Sequence, residues 1–188
     1  MHEPPVRANP GAVSVVTNPA ARSVNMPAPN WWRWLLLSGV IVVLDLATKA
    51  WITVVLREGQ EFPVTSFFSL VLAYNSGAAF SFLAGAGGWQ RWVFAGIAIA
   101  ASVFIVWMMR HGGSRLLCLG LALILGGALG NLWDRVALGH VTDFLLFHYA
   151  GWSWPAFNVA DSAITIGAAC LILDSLRPRR DVSSARAP

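Results

Sequence analysis

Four long apolar stretches alternate with polar segments along this chain. They cover residues 34–56, 89–109, 116–132 and 156–176. Each is close to the ~20 residues that a helix needs to cross about 30 Å of hydrocarbon. Lipid offers a peptide backbone no hydrogen-bond partners, so such segments are expected to be helical. The pattern therefore predicts an α-helical integral membrane protein with four transmembrane helices, within a membrane domain of residues 30–176.

The first connecting segment, residues 57–88, has the composition of short strands. Residues 62–73 are aromatic and β-branched, residues 74–77 supply a turn, and residues 78–83 are apolar again. This order favours a short β-hairpin or cradle on the membrane surface, whose apolar faces would suit a lipid-bearing partner. A surface loop resting on lipid would have the same composition.

Positive charges predict the orientation, because they collect on the cytoplasmic side. Nine arginines share one side: Arg7, Arg22, Arg33, Arg110, Arg115, Arg177, Arg179, Arg180 and Arg186. Both termini are therefore predicted to be cytoplasmic, with 57–88 and 133–155 facing outward. Residues 1–29 are expected to form a flexible cytoplasmic extension without a cleavable signal, and 177–188 a basic cytoplasmic tail.

Composition supports a membrane protein and argues against other classes. Apolar residues make up 56% and charged residues 12% of the chain, against about 25% charged in a soluble domain. The formal net charge is +4, but the arginines form no basic stripe, so no nucleic-acid partner is expected. The histidines and cysteines show no ligand spacing, so neither a metal nor a cofactor is expected.

Two aspartates, Asp143 and Asp161, frame the longest polar break in the C-terminal half. Acids at the edge of lipid indicate a functional site by default. An aromatic loop joins the two, so their carboxyls could converge at one membrane face and share a proton, which suits hydrolysis of peptide bonds. Asn158 precedes Asp161 as a candidate helix cap. A capping Asp161 with an unrelated Asp143 would have the same spacing.

Small and polar residues close the third apolar stretch. Gly126 and Gly130 form a small-xxx-small pair that permits close helix approach. Asn131, Asp134 and Arg135 follow, and they could form a hydrogen-bonded and charged frame below the outer loop. A helix end with snorkelling polar side chains is the alternative interpretation.

The first apolar stretch contains an acid and a base one helical turn apart, Asp45 and Lys49. A lone charge in this position is unfavourable by roughly 2.5–3.5 kcal/mol on insertion scales. The two are therefore expected to neutralise each other or to face the bundle interior, as a structural pair. A proton relay and a Ser–Lys dyad on Lys49 are the alternatives.

Four blocks of sequence carry a resemblance to a known family. They are Asp45-Leu46-Ala47-Thr48-Lys49; Asn75-Ser76-Gly77-Ala78-Ala79-Phe80-Ser81; Gly126-Gly127-Ala128-Leu129-Gly130-Asn131-Leu132-Trp133-Asp134-Arg135 with Val141-Thr142-Asp143-Phe144; and Phe157-Asn158-Val159-Ala160-Asp161-Ser162. In this order, across residues 31–176, they resemble the bacterial lipoprotein signal peptidases (signal peptidase II), which are membrane-embedded aspartic proteases.

The resemblance implies a function and a set of site residues. The catalytic pair would be Asp143 and Asp161. Supporting positions would be Asn75, Gly77, Asn131, Asp134, Arg135, Asn158 and Ala160, with Asp45 and Lys49 as a structural charge pair. Such an enzyme removes signal peptides from diacylglyceryl-modified prolipoproteins, cleaving before the lipidated cysteine without a metal.

The resemblance also implies a setting. The enzyme would be a monomer in the bacterial cytoplasmic (inner) membrane, among membrane lipids, with its active site near the extracytoplasmic face and with sensitivity to globomycin-type inhibitors. Two other classes stay open on the residues alone. One is a small transporter or channel with the acids as a proton path, and the other is a non-catalytic lipid-binding or assembly factor.

Overall fold

The computed structural model describes residues 30–77 and 88–177, so the predicted extension, residues 78–83 of the predicted hairpin and most of the tail lie outside the described residues. The described residues form four helices: α1 (Trp32–Val55), α2 (Gln90–His111), α3 (Arg115–Ala137) and α4 (Val159–Ser175). The first three are long and apolar enough to cross a membrane. Helix α4 has 17 residues.

Two helix boundaries differ from the prediction. Helix α3 continues to Ala137 instead of ending near residue 132, because the polar side chains of its last turns find buried partners. Helix α4 begins at Val159 instead of residue 156. The Asn158 side chain accepts a hydrogen bond from the Asp161 N–H at 2.9 Å and caps the helix there.

Helix α3 lies at the centre of the bundle and contacts each of the other three helices. Glycines allow these approaches, as the small-xxx-small pair predicts. A Cβ atom on Gly126 would lie 2.7 Å from the Ile41 Cβ, and one on Gly130 would lie 2.5 Å from the Asp45 Oδ2. Helix α1 is therefore packed directly against the backbone of α3.

The connections between helices form a four-stranded antiparallel sheet in the order β1 (Glu61–Pro63), β2 (Phe68–Asn75), β3 (Val141–Tyr149) and β4 (Trp152–Ser153). It contacts the bundle where α1 and α3 finish and α4 starts, which we call the sheet end.

The sheet corrects two details of the prediction. Residues 62–73 are not one strand, because the chain turns between β1 and β2. The partner of β2 is β3, a segment predicted to be an aromatic loop. Its nine residues are rich in β-branched and aromatic types and carry a strand signal that Asp143 interrupts.

One apolar cluster packs the end of α1 against the sheet and consists of Ile52, Leu56, Leu72 and Phe144. A second cluster lies toward the opposite end of the bundle. Ile105, Met109, Leu121, Ala122 and Leu125 are buried together there. Many large apolar side chains on the outside of α1 and α2 remain exposed, as expected for helices that face lipid.

Candidate active site

The two aspartates lie on different elements at the sheet end. Asp143 is the third residue of β3, and Asp161 lies in the first turn of α4. Asp143 is 3% exposed, whereas Asp161 is half-buried. The structure therefore brings together two acids that are 18 positions apart in the sequence.

Two asparagines bridge the acids. The Asn158 Nδ2 donates to the Asp143 Oδ1 at 2.7 Å, and the Asn131 Nδ2 donates to the Asp161 Oδ1 at 2.7 Å. The Asn158 Nδ2 also lies 3.2 Å from the Asn131 Oδ1. A different amide of this pair therefore holds an oxygen of each carboxyl, and the two amides are joined to each other.

Strand register brings a third asparagine to the same place. Ala73 pairs with Asp143, and Asn75 lies two residues further along β2, so its side chain points to the same face of the sheet. The Asn75 Nδ2 donates to the Asp143 Oδ2 at 3.2 Å, while its Oδ1 accepts from the Gly77 N–H at 2.9 Å. Gly77 has a φ of 91°, and a Cβ there would lie 2.6 Å from the Phe94 ring, so glycine is required.

The charge environment of Asp143 is unusual. Its burial, together with the nearby charge of Asp161, raises its pKa from 3.8 to about 7, although hydrogen bonds from Asn75 and Asn158 and the charge of Lys49 act in the opposite direction. Asp161 lies at the N-terminus of α4, where the helix dipole favours an anion. Asp143 is therefore suited to hold a proton beside the second carboxyl.

Arg135, near the end of α3, borders the site. Its Nη1 donates to the Asn131 carbonyl at 3.1 Å, and its guanidinium lies 5.4 Å from the centre of the Phe94 ring. It interacts electrostatically with Asp161 and Asp143. Arg135 can therefore stabilise negative charge that develops between the acids.

The predicted Asp45–Lys49 pair forms and is buried. The Lys49 Nζ lies 2.7 Å from the Asp45 Oδ2 and 3.0 Å from the Asp134 Oδ2. The sequence did not indicate that Asp134 joins this pair, nor that Ala160, which is fully buried, donates its N–H to the Asp45 Oδ1 at 2.9 Å. The described partners of the ammonium include no serine, so they give no support to a Ser–Lys dyad.

A largely apolar cavity of about 670 Å³ opens beside the acids. Asp161 lies in its wall, and the rest of the lining comes from the end of β3, from β4 and its following loop, and from the outward face of α4: Phe147, Trp152, Trp154, Pro155, Ala156, Phe157, Ser162, Thr165 and Ile166. Aromatic residues from the segment that joins the two acids thus line a cavity next to Asp161. No three His, Cys, Asp or Glu side chains among residues 30–77 and 88–177 converge as metal ligands.

A family profile described as Signal peptidase (SPase) II matches residues 37–177. The chain belongs to this family. It is an aspartic endopeptidase, and the match covers every helix and strand described above except the first five residues of α1.

Similar proteins agree with this assignment. The lipoprotein signal peptidase of Ralstonia nicotianae is 59% identical over 145 residues, which cover 77% of this chain and 84% of that protein. The lipoprotein signal peptidase of Cupriavidus necator is 53% identical over 160 residues, covering 85% and 91% respectively. A bacterial membrane enzyme solved by the in meso method at 1.9 Å resolution has the same fold, with a TM-score of 0.69 and 28% identity over 81% of this chain and 97% of that chain.

Proposed function

We propose that this peptidase removes signal peptides from diacylglyceryl-modified prolipoproteins by cleaving before the lipidated cysteine, with Asp143 and Asp161 as a water-activating pair. The observation that carries the proposal is the bridge of Asn131 and Asn158 between the two carboxyls. Its amides hold one oxygen of each acid and keep both acids at one site, where they could act on water and substrate.

The environments of the two acids favour a division of roles. Asp161, at the helix N-terminus and half-buried, acts as the base that takes a proton from the attacking water. Asp143, with its pKa raised by burial, donates a hydrogen bond and then a proton to the carbonyl oxygen of the scissile peptide. As the tetrahedral species collapses, Asp161 gives the proton that it took from water to the leaving nitrogen, and the former carbonyl oxygen returns a proton to Asp143. Arg135 stabilises the developing negative charge.

The cavity beside Asp161 supports a substrate that carries lipid. Its lining is aromatic and aliphatic, and it lies between the sheet and the outward face of α4. A diacylglyceryl group could remain in the bilayer and enter sideways while the adjacent peptide bond reaches Asp161. The sheet would then be the cradle that receives the substrate, and globomycin-type inhibitors would compete for the same space.

The charge pattern supports a proposed membrane setting. We place α4 as a fourth span beside α1, α2 and α3, with both termini in the cytoplasm and the sheet end at the extracytoplasmic face of the bacterial inner membrane. In this arrangement residues 30–176 act as a monomeric peptidase domain among lipids, 1–29 as an extension and 177–188 as a tail.

A pair of matched peptides tests the substrate. Purified enzyme in lipid nanodiscs is given a precursor peptide with a diacylglyceryl cysteine and the same peptide with an unmodified cysteine. We expect cleavage of the lipidated peptide alone, on the N-terminal side of its cysteine, and inhibition by globomycin. Equal cleavage of both peptides would contradict lipid recognition, and cleavage of neither would contradict the proposed substrate class.

A further inference from the structure

A buried ammonium group lies behind the two acids and has three oxygen partners. Besides Asp45 and Asp134, the Lys49 Nζ donates to the Asn131 Oδ1 at 3.0 Å. A lysine ammonium carries three hydrogens in a compact tetrahedral array, and three oxygens lie within 3.0 Å of this one. Lys49 is 4% exposed, and its charge is neutralised inside the bundle.

The first carboxylate reaches the backbone next to Asp143. The Asp134 Oδ2, which Lys49 contacts, also accepts the Thr142 N–H at 3.0 Å. Thr142 is 1% exposed and directly precedes Asp143 on β3. The first residues of β3 are therefore fixed to α3 through a charge-assisted hydrogen bond, which is stronger than a neutral one.

The second carboxylate reaches the backbone next to Asp161. The Asp45 Oδ1 accepts the Ala160 N–H at 2.9 Å, while its Oδ2 contacts Lys49. Ala160 directly precedes Asp161 at the start of α4. Asp45 is also packed against Gly130, where a Cβ would lie 2.5 Å from the Asp45 Oδ2, so the carboxylate has little room to move.

The third contact of the ammonium fixes the orientation of an amide. Because a cation repels an N–H donor, Lys49 requires that the oxygen of Asn131 points toward it. The Nδ2 of Asn131 must then point the other way, toward the Asp161 Oδ1, which lies 2.7 Å away. Lys49 is therefore linked, through Asp134 and Asp45, to the backbone directly before each acid. It also contacts Asn131, whose side chain donates to Asp161.

We propose that Lys49, with Asp45 and Asp134, is a positioning device that sets the separation and orientation of Asp143 and Asp161. The inference rests on the proposed function, because it gives those two residues the catalytic role. The device touches neither substrate nor water in the reaction. Its effect on the rate comes from geometry, and a displacement of about 1 Å can lower a rate by about 100-fold.

The test compares kcat with KM in four variants of the full chain, using the lipidated precursor peptide in nanodiscs. Lys49→Met removes the shared ammonium. Asp134→Ala removes the acceptor for Thr142, whereas Asp134→Asn keeps an oxygen that can accept both hydrogen bonds. Ser38→Ala is the control, because Ser38 is buried on the same helix and its hydroxyl donates to the Ala122 carbonyl at 2.8 Å, far from the acids.

The proposal predicts a loss in kcat at nearly constant KM. At a temperature where thermal unfolding shows each variant to be folded, kcat of Lys49→Met falls about 100-fold, and kcat of Asp134→Ala falls at least about tenfold below that of Asp134→Asn. Ser38→Ala lowers the unfolding temperature but keeps kcat. If Lys49→Met does not fold, the comparison of the two Asp134 variants decides.

Two results would overturn the proposal: a kcat for folded Lys49→Met as high as that of Ser38→Ala, or equal kcat for Asp134→Ala and Asp134→Asn. Failure of the proposed function looks different, because Asp143→Asn or Asp161→Asn would then retain cleavage. Inactive aspartate variants together with a fully active Lys49→Met would reject the positioning device alone.

Discussion

At the end of the bundle away from the sheet, α3 packs against its neighbours through Leu121 and Leu125, next to Met109 of α2. At the sheet end the same helix presents Asn131 and Asp134 to buried polar partners. Apolar contacts depend on shape and volume and tolerate substitution, whereas each buried polar group needs a particular partner at a particular angle. Helix α3 thus contributes apolar packing at one end and hydrogen bonds that position the acids at the other.

The largest effect is expected at the acids themselves. Asp143→Asn and Asp161→Asn each remove the ability to share a proton while nearly preserving the shape of the side chain. We expect cleavage of a lipidated precursor peptide to fall at least about 10³-fold, with normal expression and membrane insertion. Asp174→Asn, at the other end of α4, is the matched control and should retain activity. Substantial cleavage by either acid variant would remove the proposed mechanism.

The apolar end should respond in stability instead. Met109 is fully buried in the apolar core, and Met109→Ala leaves a cavity that lowers the free energy of unfolding by about 2–5 kcal/mol. Because the cavity is far from the acids, kcat of the folded variant should match that of the wild type. Unfolding in detergent and cleavage at low temperature measure the two quantities separately. A loss of kcat here would mean that the two ends are coupled.

A pair of glycines on α3 sharpens the comparison, because both face α4. A Cβ on Gly120 would lie 2.7 Å from the Gly167 carbonyl, and one on Gly127 would collide with the Ala160 carbonyl. Gly120→Ala and Gly127→Ala should therefore both lower the free energy of unfolding, by about 1–3 kcal/mol. Only Gly127→Ala should also lower kcat, since Ala160 adjoins Asp161. Equal kcat in the two variants would argue against this difference between the ends.

The smallest effect is expected on the far side of the sheet. The Ser69 Oγ lies 2.9 Å from the His148 Nε2 and is fully buried, but neither residue contacts the acids in the described structure. Ser69→Ala should lower the free energy of unfolding by about 0.5–1.5 kcal/mol and leave kcat unchanged. A large loss of kcat would show that the sheet acts as a moving part of the site.

The apolar spacing predicted the helices well, because a bilayer imposes both length and composition. It did not predict the extension of α3 to Ala137, since the polar last turns resemble a loop until their partners are known. It also did not predict the strand at residues 141–149, because Asp143 interrupts the apolar pattern there. The contacts from Asp45 to Ala160 and from Asp134 to Thr142 involve backbone N–H groups, which leave no trace in side-chain spacing.

The coupling between Asp143 and Asp161 is the central claim, and infrared spectroscopy with isotope-labelled aspartate tests it most directly. The measurement follows ionisation of the Asp143 carboxyl across a pH titration in the wild type and in Asp161→Asn. The charge of Asp161 raises the pKa of Asp143, so the neutral amide should lower that pKa from about 7 while burial keeps it above 3.8. An unchanged ionisation of Asp143 in Asp161→Asn would show that the two acids do not share a proton and would contradict the account.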